Sequence, residues 1–107
     1  MSENIWFDII LDRMAAISDS KRHDYASEDD PFLNFIQVAN ISGLTTDEVF
    51  LVWIATKLVR LGQLVGGDKE PNNESIDDSI IDMANYSALW AGLREREASI
   101  ERVEQTL

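Results

Sequence analysis

The segment "TTDEVFLVWIATKLVRLGQLVGG", residues 45–67, limits the possible folds more than any other part of the chain. It opens with Thr45-x-x-Glu48, the capping-box spacing in which each side chain satisfies a backbone amide of the other residue. It stops at Gly66-Gly67, where the absence of a Cβ permits the left-handed conformation that ends helices. Set at about 100° intervals, the apolar residues from Val49 to Val65 cover nearly the whole circumference. A helix apolar on every side belongs inside a bundle. Lys57 and Arg60 are the charges within that stretch, three residues apart and therefore neighbours on one face, with Thr56 and Gln63 flanking them. A cation in such a setting is costly unless an anion meets it. Something negative is expected opposite this strip.

The stretch "PNNESIDDSIIDMANYSALW", residues 71–90, holds four acids and no base. On a helical wheel Glu74, Asp78, Asp82 and Asn85 fall in a stripe about 80° wide, while Asp77 points away toward solvent and serves the helix dipole. Ile76, Ile80, Met83, Ser87, Trp90 and Ala91 lie opposite and are expected to form the apolar contact surface. Tyr86, Leu89 and Leu93 flank the acidic side further along, so the stripe is expected to be partly enclosed. Carboxylates at i and i+4 suit a hard cation such as Mg²⁺, completed by waters and a phosphate. They equally suit neutralisation by Lys57 and Arg60.

Three further segments carry helical signals. Residues 3–18 place Ile5, Ile9, Ile10, Met14 and Ile17 at helical spacing, and a charged, turn-rich break follows from 19 to 31. A shorter helix is expected from Asp30 as cap and Pro31 to Gly43, with Phe32, Phe35, Ile36 and Ala39 as its stripe. Ser75 or Asn73 caps a last helix running from about 75 beyond 100. Nothing alternates with period 2. The expected fold is all-α: a single domain of about four helices, its core over about 3–93 and a helical extension over about 94–107.

Composition narrows function. The chain has 107 residues, 45% of them hydrophobic, and no cysteine, which fits one folded domain without disulfides or thiolate metal sites. The acidic start "MSENIWFD" lacks a secretory signal's basic region, and no apolar run is long enough to span a bilayer, so a cytoplasmic protein is expected. A net charge of −11 repels phosphate backbones and argues against direct nucleic-acid binding. Two classes of partner remain besides charge kept for solubility. One is a small anionic ligand held by a local base or metal; the other is a protein that prefers acidic surfaces, including one deceived by nucleic-acid mimicry. In the tail "LREREASIERVEQTL", Ile100, Val103 and Leu107 form a narrow apolar line that suggests packing on another subunit.

Around the first break, "KRHDYAS" supplies the lone histidine, His23, a small basic cluster at Lys21 and Arg22, and Tyr25, an aromatic able to stack on a base or to plug the bundle end. His23 beside Asp24 reads as a solvated loop residue, since chain neighbours seldom orient one another for catalysis.

Taken in order, Lys21, Asp24 and Tyr25, then Lys57 and Arg60, then Glu74, Ser75, Ile76, Asp78, Asp82, Asn85 and Tyr86 resemble the motif set of the small, largely phage-encoded nucleotide modification-associated domain family. The resemblance spans roughly residues 21–90. The arrangement is also similar, more distantly, to the all-α MazG and dimeric dUTPase type of nucleoside triphosphate pyrophosphohydrolase. In those enzymes two helices each supply an acidic pair that holds Mg²⁺ for attack of water on the phosphate chain. The resemblance implies nucleotide binding by Lys57, Arg60, Asp24, Tyr25 and Asn85, with Glu74, Asp78 and Asp82 on Mg²⁺, in a homo-oligomer. The chain departs from the enzyme pattern where it has Lys57 and Arg60 in place of one acidic pair. A divergent pyrophosphohydrolase, a binding domain without turnover, and a closed interhelical salt-bridge network all remain open. So does a non-enzymatic acidic protein that binds a host protein.

Overall fold

The computed structural model describes residues 4–24, 30–67 and 75–107, with the side chains of 18 and 20–24 outside that description. The described residues form an all-α bundle of four helices: α1 (Ile5–Asp24), α2 (Leu33–Ser42), α3 (Thr46–Val65) and α4 (Ile76–Thr106). The α4 helix runs between two neighbours, packing against α3 along one side and α1 along another, while α2 closes on α3.

Local chemistry sets most of the helix ends. The Thr45 hydroxyl accepts from Glu48 N at 3.1 Å and Thr45 N donates to Glu48 Oε1 at 3.0 Å, completing the expected capping box. Ser75 and Asp78 repeat it at the start of α4, at 3.3 and 3.1 Å. Gly43 ends α2 with φ of 76°, a backbone state that L side chains rarely adopt. Asp30 acts as expected, its Oδ1 accepting from Phe32 N at 2.9 Å, but Pro31 and Phe32 form a turn and the helix proper begins at Leu33. The α1 helix continues six residues past the expected end at 18. The sequence from Asp19 to Asp24 contains neither Gly nor Pro, and bases near a helix C-terminus are favoured by its dipole, so nothing stops the helix there.

The core is small and aromatic. Phe35 and Ala39 of α2, Val49 and Phe50 of α3 and Leu93 of α4 are buried together, with Phe32, Val38, Trp53, Tyr86, Leu89 and Trp90 packed around them. Phe35 stacks on Phe50 with centroids 4.1 Å apart, and Phe50 on Trp90 at 5.9 Å. Such pairs add to the burial of their own area. Phe32 also sits under the Arg96 guanidinium, 4.7 Å from its ring centroid, and Arg96 bonds Asp30 at 3.1 Å. That clasp joins the entry of α2 to the far half of α4.

Two expectations about faces change. The α3 helix is not enclosed: Leu51, Val52, Leu58, Val59 and Val65 are exposed on the side away from α2 and α4. In α4, Ile76, Ile80, Ser87 and Ala91, expected to make contact, are exposed, whereas Ser79 is buried and Asp82, Asn85 and Tyr86 are half-buried. The reason is that α4 serves two neighbours. Asp82, Tyr86 and Leu93 face α3, Asn85 and Leu89 lie beside α1 residues, and Ile80 is left exposed.

Candidate functional site

The polar end of the α3–α4 interface begins with Lys57. It stands near the middle of α3, and its ammonium meets Asp82 of α4, Nζ to Oδ2, at 3.0 Å. The two side chains are only 20% and 19% exposed, so the pair is largely withdrawn from water. Desolvated charges of this kind persist only when each has its counter-ion. The anion that the sequence requires opposite Lys57 is therefore Asp82. Arg60, three residues on, is half-buried on the same inward side and takes part in further polar contacts.

Around this pair the interface stays polar. Asn85 lies three residues beyond Asp82 and is half-buried, with its amide nitrogen Nδ2 enclosed and without a hydrogen-bond partner among the described residues. Ser79, three residues before Asp82, is fully buried and its hydroxyl likewise has no partner among the described residues. Buried polar atoms are nearly always satisfied in native proteins. Ser79 and Asn85 lie three residues to either side of Asp82, so buried polar atoms of this kind gather along one stretch of α4. Asn85 also lines an open recess of about 280 Å³ at the surface, beside Leu11, Met14 and Ala15 of α1, Phe32, and Ala88 and Leu89 of α4.

The acids separate into different surroundings. Asp78 is exposed and occupied by the cap, its carboxylate accepting from Ser75 N. Asp77 is exposed, as the wheel implies. Glu74 and Tyr25 lie outside the described residues, as does the side chain of Asp24, whose backbone closes α1. Among the described residues no three acidic or histidine side chains gather as a metal group would require. Of the expected site residues, the fold thus joins Lys57 to Asp82 across α3 and α4, with Arg60 half-buried on α3, Asn85 half-buried on α4 beside α1, and Asp78 exposed at the start of α4.

A second polar cluster, at the other end of α3, was not foreseen. Asp47 in the first turn accepts from Trp90 Nε1 at 2.7 Å and from Arg94 at 2.9 Å. The hydrogen bond from Trp90, then that from Arg94, holds its carboxyl below the usual range against a small opposing effect of burial. Only the acid-rich first turn hints at this in sequence; partners 43 and 47 residues away leave no local pattern. No helix among the described residues is long and apolar enough to cross a membrane.

Comparison of the chain with protein-family models, with curated proteins and with solved structures finds no match.

Proposed function

We propose that this protein is a small all-α nucleotide-binding domain whose site lies at the polar end of the α3–α4 interface. The observation that carries the reading is the largely desolvated Lys57–Asp82 pair, with Arg60 one turn along α3 and Asn85, whose amide nitrogen has no partner among the described residues, one turn along α4. A bundle of this size gains more from packed apolar residues at such a position than from an ion pair, so retained polarity there points to a ligand. Lys57 and Arg60 supply phosphate donors, Asn85 an amide for a base or sugar edge, and Asp82 a carboxylate that either releases Lys57 to the ligand or shares a bound Mg²⁺. The motif resemblance to nucleotide modification-associated domains supports the same assignment, and a Mg²⁺-dependent pyrophosphohydrolase is its catalytic form. Glu74 and Asp78 join the site in that form, and Asp24 and Tyr25 on the nucleotide side.

The test is thermal unfolding against nucleoside mono-, di- and triphosphates and inorganic phosphate, each with and without Mg²⁺. A ligand at about a hundred times its Kd stabilises by about 2.7 kcal/mol, which raises the Tm of a domain this size by roughly ten degrees or more. Absence of any shift at millimolar ligand sinks the proposal.

The competing reading is an acidic interaction protein that binds a host protein. It is favoured by Trp6 and Phe7, which stand exposed on α1 in a chain of net charge −11; exposed aromatics of this kind are typical of binding surfaces. Under it, Trp6→Ala abolishes partner capture and no nucleotide shifts the Tm.

A further inference from the structure

We infer that the outward face of α3 is a self-association surface, on which a second copy of this chain packs helix against helix. The α3 helix has two apolar sides, and only one is covered by the described residues. On the other, Leu51, Ala55, Leu58, Gly62 and Val65 follow one another at spacings of four and three residues, the repeat of a helix–helix seam. Leu51, Leu58 and Val65 are 57%, 59% and 71% exposed, and Val52 and Val59 widen the strip.

The strip fits a second copy better than another partner for three reasons. First, it is self-complementary. Large residues alternate with Ala55 and Gly62, so the knobs of one helix meet the gaps of its twin across a two-fold axis near Leu58, bringing Leu51 of one copy to the Val65 end of the other. Second, charge selects this face. The chain carries −11 overall, yet Lys57 and Arg60, the charges of α3 between Leu51 and Val65, sit on the opposite, inward side. Two like-charged copies meet with least repulsion where neither presents charge. Third, the strip is long enough: from Leu51 to Val65 it runs about 21 Å along α3, with Leu51, Val52, Leu58, Val59 and Val65 each more than half exposed.

Gly62 sharpens the inference. A Cβ added there meets nothing within 4 Å, and glycine inside a helix weakens it relative to other residues. Nothing among the described residues asks for glycine at this place, whereas close approach of a second helix does.

Sedimentation velocity of the full chain from micromolar to hundred-micromolar concentration tests the inference. The wild type is expected to sediment as a dimer of the 12.1 kDa chain, or as a larger assembly built from it. Leu58→Glu is expected to weaken association by at least about tenfold, or 1.4 kcal/mol. Gly62→Gln is expected to do the same while its circular dichroism shows helix content undiminished, which separates lost association from lost folding. The pair Ile100→Glu and Val103→Glu in the tail leaves assembly intact. A wild type that is monomeric throughout overturns the inference, as does an assembly unaffected by both α3 substitutions or one dissolved by the tail pair alone.

Discussion

The two ends of the α3–α4 interface are built on opposite terms. At one end Val49 and Phe50 meet Trp90 and Leu93, with Phe35 of α2 stacked on Phe50, and Asp47 of the first turn has two donors. At the other, Lys57 and Asp82 face each other among polar neighbours, two of which keep buried atoms without partners among the described residues. The same two helices supply both ends, so neither propensity nor topology accounts for the contrast. The aromatic end is what a small bundle needs in order to fold. The polar end lowers stability relative to an apolar packing, and its retention is the reason for seeking a ligand there.

The largest expected effect lies at the aromatic end. Phe50 is fully buried and stacked on both sides, so Phe50→Ala is expected to cost about 3–5 kcal/mol. Urea unfolding should show this as a lower midpoint with little change in slope; a loss under about 1 kcal/mol would remove the distinction between the ends.

Lys57→Ala comes next, at about 2 kcal/mol, because it strands Asp82 in a site mostly closed to water. The informative variant is the double one. Lys57→Met combined with Asp82→Leu is expected to recover wild-type stability or exceed it, while abolishing any thermal shift by nucleotide. A double variant much less stable than wild type would make the ion pair structural after all.

How much of this was legible in the sequence depends on the range of each interaction. The capping box at Thr45–Glu48 acts over three residues and can be read directly, whereas at α4 the sequence leaves Asn73 as an alternative to Ser75 and offers Asp78 as a metal ligand, although its carboxylate closes a second capping box. The need of Lys57 for an anion is also legible, because an apolar helix makes its cation conspicuous, and the stripe containing Asp82 was the one candidate in register. The face of α4 was misread since the wheel assumes one inward side and this helix has two, which leaves Ile80 exposed. The enclosure expected of α3 failed differently: apolar residues on every side reveal that both faces want cover, not that one chain supplies it. The Asp47–Trp90–Arg94 cluster spans more than forty residues, and an acid in a first turn looks like any other helix-start acid.

That cluster gives the aromatic end a pH signature. The carboxyl of Asp47 is held below its ordinary value by Trp90 and then Arg94. A carboxyl lowered on folding adds stability above its unfolded pKa, and that contribution fades as pH falls through the folded value. Stability should thus decline below about pH 4, and Asp47→Asn should flatten that part of the profile. Trp90→Phe, which removes one donor but keeps the ring, is expected to cost about 1 kcal/mol at neutral pH and to shift the acid limb upward. An acid limb identical in Asp47→Asn and wild type would assign the decline to other carboxylates.

The smallest effect is the sharpest test of the contrast. Ser79 is fully buried beside the polar end, and its hydroxyl has no partner among the described residues. An unmade hydrogen bond in such a place costs about 1–3 kcal/mol of desolvation, while Ala fills nearly the same space and is the better helix former. Ser79→Ala is therefore expected to raise stability, by up to about 1 kcal/mol, where truncation elsewhere in the core lowers it. If the hydroxyl serves a bound ligand, the same substitution weakens the nucleotide-induced shift even as it raises the Tm of the free protein. Opposite signs from one deleted oxygen place Ser79 with the site; a gain in stability with the shift intact confines the site to Lys57, Arg60, Asp82 and Asn85; a loss of stability shows that the polar end is packed as strictly as the aromatic one.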